Sequence, residues 1–147
     1  MWGAIGTFFN QNTEINTFEG AECVSGDFMG TETLTITDSG QFVATDSGFH
    51  VEGTETVTSS IVFTNGYHDV VSGNNHFAFN TTQTSGQTVF TFAGHELHTI
   101  YNAEGEVVAR VMFHGVSHIT YRDLNGNEQP DDGEITANID QFFFTCM

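Results

Sequence analysis

The chain has no lysine, and arginine occurs only at Arg110 and Arg122. Phosphate backbones are held by Lys and Arg, so nucleic acid is excluded as a partner and an anionic membrane surface is disfavoured. Proline occurs once, at Pro130. No cationic segment followed by an apolar stretch opens the chain, and no apolar run approaches the roughly 18 residues of a membrane-spanning helix. Neither a membrane span nor an unprocessed leader is therefore expected. Helix formers are scarce, and no window of helical length places apolar residues at i, i+3, i+4 and i+7. Catalytic signatures are missing too: there is no Gly-x-Ser-x-Gly elbow to expose a nucleophile. No catalytic residue is assigned, and a non-catalytic role is preferred while the question of enzyme activity stays open.

Cysteine is limited to Cys23 and Cys146, near opposite ends. Either both are buried free thiols, or one disulfide ties the first strand to the last. Closing a loop of that length stabilises by roughly 5 kcal/mol in the chain-entropy treatment, and the bond needs oxidising surroundings.

What the chain does contain is acid and phenylalanine. Nineteen Asp and Glu against two Arg leave a formal charge of −17, which favours solubility and attracts cations. Charged residues are still only 14% of the total, too few for a disordered chain. Fifteen Phe in 147 residues imply one domain with an aromatic core.

Period-2 alternation recurs along the chain, bounded by Gly, Asn, Asp and Ser, which reads as all-β. Phe28, Gly30, Glu32, Leu34 and Ile36 alternate with Thr31, Thr33, Thr35 and Thr37. Turn compositions follow at Asp38-Ser39-Gly40, Asp46-Ser47-Gly48, Asn65-Gly66, Ser72-Gly73-Asn74-Asn75, Ser85-Gly86 and Ala103-Glu104-Gly105. From Glu106 to Arg122, Val107, Ala109, Val111, Phe113, Ile119 and Tyr121 separate from Val108, Arg110, Met112, His114, His118 and Arg122; a strand that long, bent at Gly115, suits a curved sheet. About eight to ten strands are expected, as a single antiparallel barrel or a jelly-roll-like sandwich.

Residues 1–20 carry Trp2, Ile5, Phe8, Phe9, Ile15 and Phe18 between polar residues. They form either an ordinary first strand or an apolar N-terminal arm ahead of a β-domain over 21–147. Such an arm adds to the sheet edge of a neighbouring copy, where main-chain bonds give affinity and alternate side chains fill pockets.

Asp123, Asn125, Asn127, Asp131 and Glu134 fall at positions 1, 3, 5, 9 and 12 of a twelve-residue loop, with the Gln129 carbonyl at position 7. These are calcium-loop positions, so Ca2+ is the candidate cofactor; Glu128 replaces the usual glycine at position 6, and the flanks are strands. A hairpin connection built on Asx turns is the plainer reading. Seven histidines invite a transition-metal centre, but His114 and His118 lie about 13 Å apart in an extended strand, and His95 and His98 have opposite parity. Asp69 beside His68, or Glu96 between His95 and His98, offers the nearest approach to a proton-transfer pair. Asn80-Thr81-Thr82 is a candidate glycosylation sequon.

Cys23, Phe63-Thr64-Asn65-Gly66, Gly94-His95 and the terminal Phe144-Thr145-Cys146 resemble uncharacterised secreted β-barrel proteins of Gram-positive bacteria, along most of the chain. That resemblance implies an eight-stranded barrel-like fold with a terminal disulfide and no assigned activity. Two functions are expected from different classes. The first is a non-catalytic extracellular or cell-surface domain that self-associates as a filament, layer or adhesive subunit. The second is a calycin-like barrel that binds or isomerises a small apolar ligand among its phenylalanines.

Overall fold

The computed structural model describes residues 3–82, 85–127 and 129–147. Among them, seven antiparallel strands form one sheet in chain order: β1 (Ala4–Ala21), β2 (Val24–Thr45), β3 (Gly48–Phe63), β4 (His68–Thr82), β5 (Gln87–Tyr101), β6 (Val107–Arg122) and β7 (Ile135–Cys146). No helix occurs among the described residues. The all-β expectation holds, in a simpler form than a sandwich.

Alternation decides which side chains meet. Phe28, Glu32, Leu34 and Ile36 share one face of β2, opposite the threonines, as the sequence indicates. On the threonine face, Thr13 and Thr35 lie directly across β1 and β2 with their hydroxyls 3.2 Å apart. β-Branched, hydrogen-bonding side chains suit such a wetted surface.

The other face is curled inward. Ala21 and Val24 at the β1–β2 turn pack against Ile100, Ala109 and Val111 on β5 and β6, several strands away in the sheet. Farther along, the ring of Phe8 on β1 lies 6.2 Å from that of Phe77 on β4. A flat sheet brings neither pair together. Glycine on the inner face permits the curl: a Cβ at Gly40 would collide with the Glu52 carbonyl and the Gly53 backbone, and one at Gly73 with Glu96 and the His95 carbonyl.

These glycines also account for the strand count. Asp38-Ser39-Gly40 and Ser72-Gly73-Asn74-Asn75 read as turns, yet β2 and β4 run straight through them with unbroken pairing on both sides. Their small residues serve close approach rather than chain reversal, so fewer and longer strands result. The other expected turns sit where the composition places them, and Gly66 adopts φ +87°, which its lack of a side chain makes free of strain.

The core lies at one end of the groove. Phe28, Ile61, Phe63 and Val71 form one buried cluster and Ile100, Ala109 and Val111 a second, with Ala21, Val24 and Tyr67 packed against both. Phe63 meets Phe28 and Phe18 edge to face, with centroids 5.1 and 6.1 Å apart. A disulfide between Cys23 and Cys146, with Cα atoms 5.8 Å apart, pins the β1–β2 turn to the end of β7. The sheet is nevertheless not closed into a barrel, because no pairing joins β1 to β7 among the described residues.

Candidate functional site

Because successive residues in a strand face opposite sides, Asp69, Val71, Gly73 and Asn75 of β4 point into the groove, as do Glu96, His98 and Ile100 of β5. Asp69 pairs in register with Ile100, and Val71 with His98, so Asp69 and His98 are diagonal neighbours. Their side chains meet: His98 Nδ1 lies 2.6 Å from Asp69 Oδ2. Glu96 Oε2 stands 3.7 Å from the other ring nitrogen, and the Phe113 ring packs edge-on at 4.9 Å.

Burial alone pushes the His98 imidazole down. Hydrogen bonds to Asp69 and Glu96, with the attraction of both carboxylates, outweigh it and raise its pKa to about 9. His98 is therefore an imidazolium at neutral pH and donates its Nδ1–H to Asp69.

Asp69 is only 2% exposed. Its second oxygen, Oδ1, is buried and finds no hydrogen-bond partner among the described residues. Leaving such an acceptor unmatched costs on the order of 1–3 kcal/mol. The residue borders a recess of about 400 Å³, lined also by Phe18, Phe63, His98, Val111 and Phe113. Phe113 is shared with a second recess of about 410 Å³ under Phe142 and Phe144, which Glu55 and Glu96 border. Deeper polar side chains are largely paired: Ser59 Oγ donates to Glu32 Oε1 at 2.7 Å, and Asn75 Nδ2 to Glu55 Oε1 at 2.6 Å. The arrangement combines aromatic walls, a charge pair and one free buried acceptor.

The sequence pairs Asp69 with the wrong histidine. His68 follows the strand parity to the outer face, where its ring stacks on Tyr101 with centroids 4.7 Å apart. Of the two histidines that flank Glu96 in the sequence, His98 shares its face, while His95 turns outward beside His114, ring centroids 6.4 Å apart. What sequence could not supply was the β4–β5 register that brings Asp69 to His98.

The remaining candidates fall as follows. Residues 4–20 are β1, paired with β2 along their length, so the segment does not stand apart from the sheet. Phe8 and Phe18 face the groove, while Ile5, Phe9 and Ile15 face outward and are 81%, 71% and 74% exposed; Trp2 lies outside the described residues. Asn80 is exposed on β4, hydrogen-bonded to His50. The Asp123–Glu134 loop folds on itself. Asp123 Oδ1 accepts the Gly126 N–H at 2.6 Å, Asp131 Oδ2 accepts the Asn125 and Asn127 amides at 2.7 Å each, and buried Glu134 accepts the Leu124 N–H at 2.8 Å. The Gln129 carbonyl accepts the Asp131 N–H at 3.0 Å, and Glu128 lies outside the described residues.

Comparison with protein-family models, with curated proteins and with solved structures returned no match.

Proposed function

We propose that this chain is an extracellular β-domain that holds a small, largely apolar ligand in the groove of its curled sheet. The observation that carries the reading is Asp69: a carboxylate buried beside an aromatic recess of about 400 Å³, with one oxygen unmatched. Natural binding sites take this form, an apolar enclosure with a few convergent polar groups that fix orientation. The disulfide supports an oxidising, exported setting. A neutral apolar fluorophore, N-phenyl-1-naphthylamine, tests the reading. Its emission should rise and shift to the blue with saturable binding, and Val24→Trp, which adds bulk to the lining of the recess, should abolish this in a variant shown to be folded. Absence of saturable binding to the wild-type chain defeats the proposal.

A second reading is favoured by a separate observation. Among the described residues β1 and β7 each leave one edge of the sheet unpaired, and every residue of β7 is exposed, Phe142, Phe143 and Phe144 among them. Exposed hydrophobic edges template pairing with another chain unless charge, above all lysine, blunts them. This chain has no lysine, and Asp140 is the one charged residue in β7. Self-association through these edges, as a filament, layer or adhesive subunit, follows. Ca2+ in the Asp123–Glu134 loop would serve either reading as a stiffener of the β6–β7 connection.

A further inference from the structure

Building on the ligand-binding reading, we propose that the ligand is a small aromatic or alkyl amine bound as its ammonium ion, with nitrogen on Asp69 Oδ1 and its apolar body among Phe18, Phe63 and Phe113. Three features of the recess select this chemistry. The buried acceptor demands a donor, since Oδ1 has no partner among the described residues while Oδ2 already holds His98. Charge then discriminates among donors. The recess is bordered by Asp69, Glu19 and Glu22, with His98 the single basic side chain in its lining. The Asp69, Glu96 and His98⁺ group carries a formal −1, which one ammonium ion neutralises. An anionic ligand such as a fatty acid meets three carboxylates against the one imidazolium, which Asp69 already engages, and a neutral alcohol satisfies Oδ1 without balancing the charge. Charge-assisted hydrogen bonds are roughly twice as strong as neutral ones.

The walls set the rest of the ligand. Phe63 stands between Phe18 and Phe28, and Phe113 covers His98 from the other side. Aromatic faces attract a cation as well as an apolar ring, and desolvation strengthens the attraction. A hydrated divalent cation gains nothing from such walls, because hard ions take several oxygen ligands. A recess of about 400 Å³ accommodates a two-ring amine.

Three probes with one ring system separate the possibilities: 1-naphthylmethylamine, 1-naphthylmethanol and 1-naphthaleneacetate, titrated calorimetrically at pH 7 into the full chain with its disulfide intact. The amine should bind about tenfold more tightly than the alcohol, and the acetate should not bind measurably. Asp69→Asn should remove the amine's advantage while the alcohol still binds. If that variant does not fold, Glu19→Gln/Glu22→Gln, which changes the recess lining without touching His98, should narrow the advantage about two- to threefold. Equal binding of amine and alcohol to the wild-type chain overturns the amine assignment and leaves the ligand-binding reading standing. Binding of none of the three overturns both.

Discussion

His98 shows how a single register step creates chemistry. The charged groups that face it are Asp69 from β4 and Glu96 from β5, with the neutral Phe113 ring from β6. Its pKa is raised from 6.5 to about 9 on folding. A group whose pKa rises on folding stabilises the native state fully below its unfolded pKa, and the contribution disappears as pH climbs through the folded one. Stability measured by urea unfolding should therefore fall between about pH 6.5 and 9.5, by on the order of 3 kcal/mol. His98→Gln should flatten that stretch of the profile. An NMR titration placing His98 near 6.5 would remove the pairing on which the site depends. Ile100, 1% exposed and paired in register with Asp69, tests the core beside it. Ile100→Ala should cost about 2–5 kcal/mol in the same denaturation assay.

At the scale of elements, the most exposed strand is also the one tied down covalently. Among the described residues β7 pairs only with β6 and buries none of its own, so its position rests mainly on one ladder of hydrogen bonds, the Phe113–Phe144 ring contact and Cys146. Cys146→Ser should lower stability by up to about 5 kcal/mol and release β7 first, seen as loss of amide-exchange protection confined to that strand. The loop before β7 makes a separate prediction. If Ca2+ binds the Asp123, Asn125, Asn127, Gln129, Asp131 and Glu134 oxygens, added Ca2+ raises Tm by several degrees, and Asp123→Ala abolishes the shift. An unchanged wild-type Tm counts against the site. Strands and most turns were legible at this scale because alternation and Asn-Gly or Ser-Gly pairs are local signals. The turns read at Asp38–Gly40 and Ser72–Asn75 failed because a glycine needed for close approach has the same local signature as a glycine needed for chain reversal.

The whole molecule is a meander with an odd number of strands, so β1 and β7 run in the same direction. Two copies related by a twofold axis can join β7 to β7 as an antiparallel pair, whereas joining β1 of one to β7 of the next produces a parallel pair and an open chain. Antiparallel pairing is the more stable per residue, so self-association should begin as dimers across β7. Sedimentation velocity over a concentration series checks this. Phe143→Lys on the outer face of β7 should shift the wild-type equilibrium toward monomer, and a wild-type chain monomeric at millimolar concentration removes the reading. Deleting residues 1–20 is the blunter test, since it takes away an entire strand of the chain's own sheet as well as an edge.

By itself the sequence determined the all-β class, the faces of the strands and the position of most turns, because each follows from neighbours in the chain. It also placed the two cysteines at opposite ends without deciding whether they bond. Only the tertiary structure decided that the sheet curls without closing, that Cys23 meets Cys146, and that Asp69 answers His98 rather than His68. Those outcomes depend on which strand lies beside which and by how many residues each is offset, and a shift of one residue would turn Asp69 out of the groove.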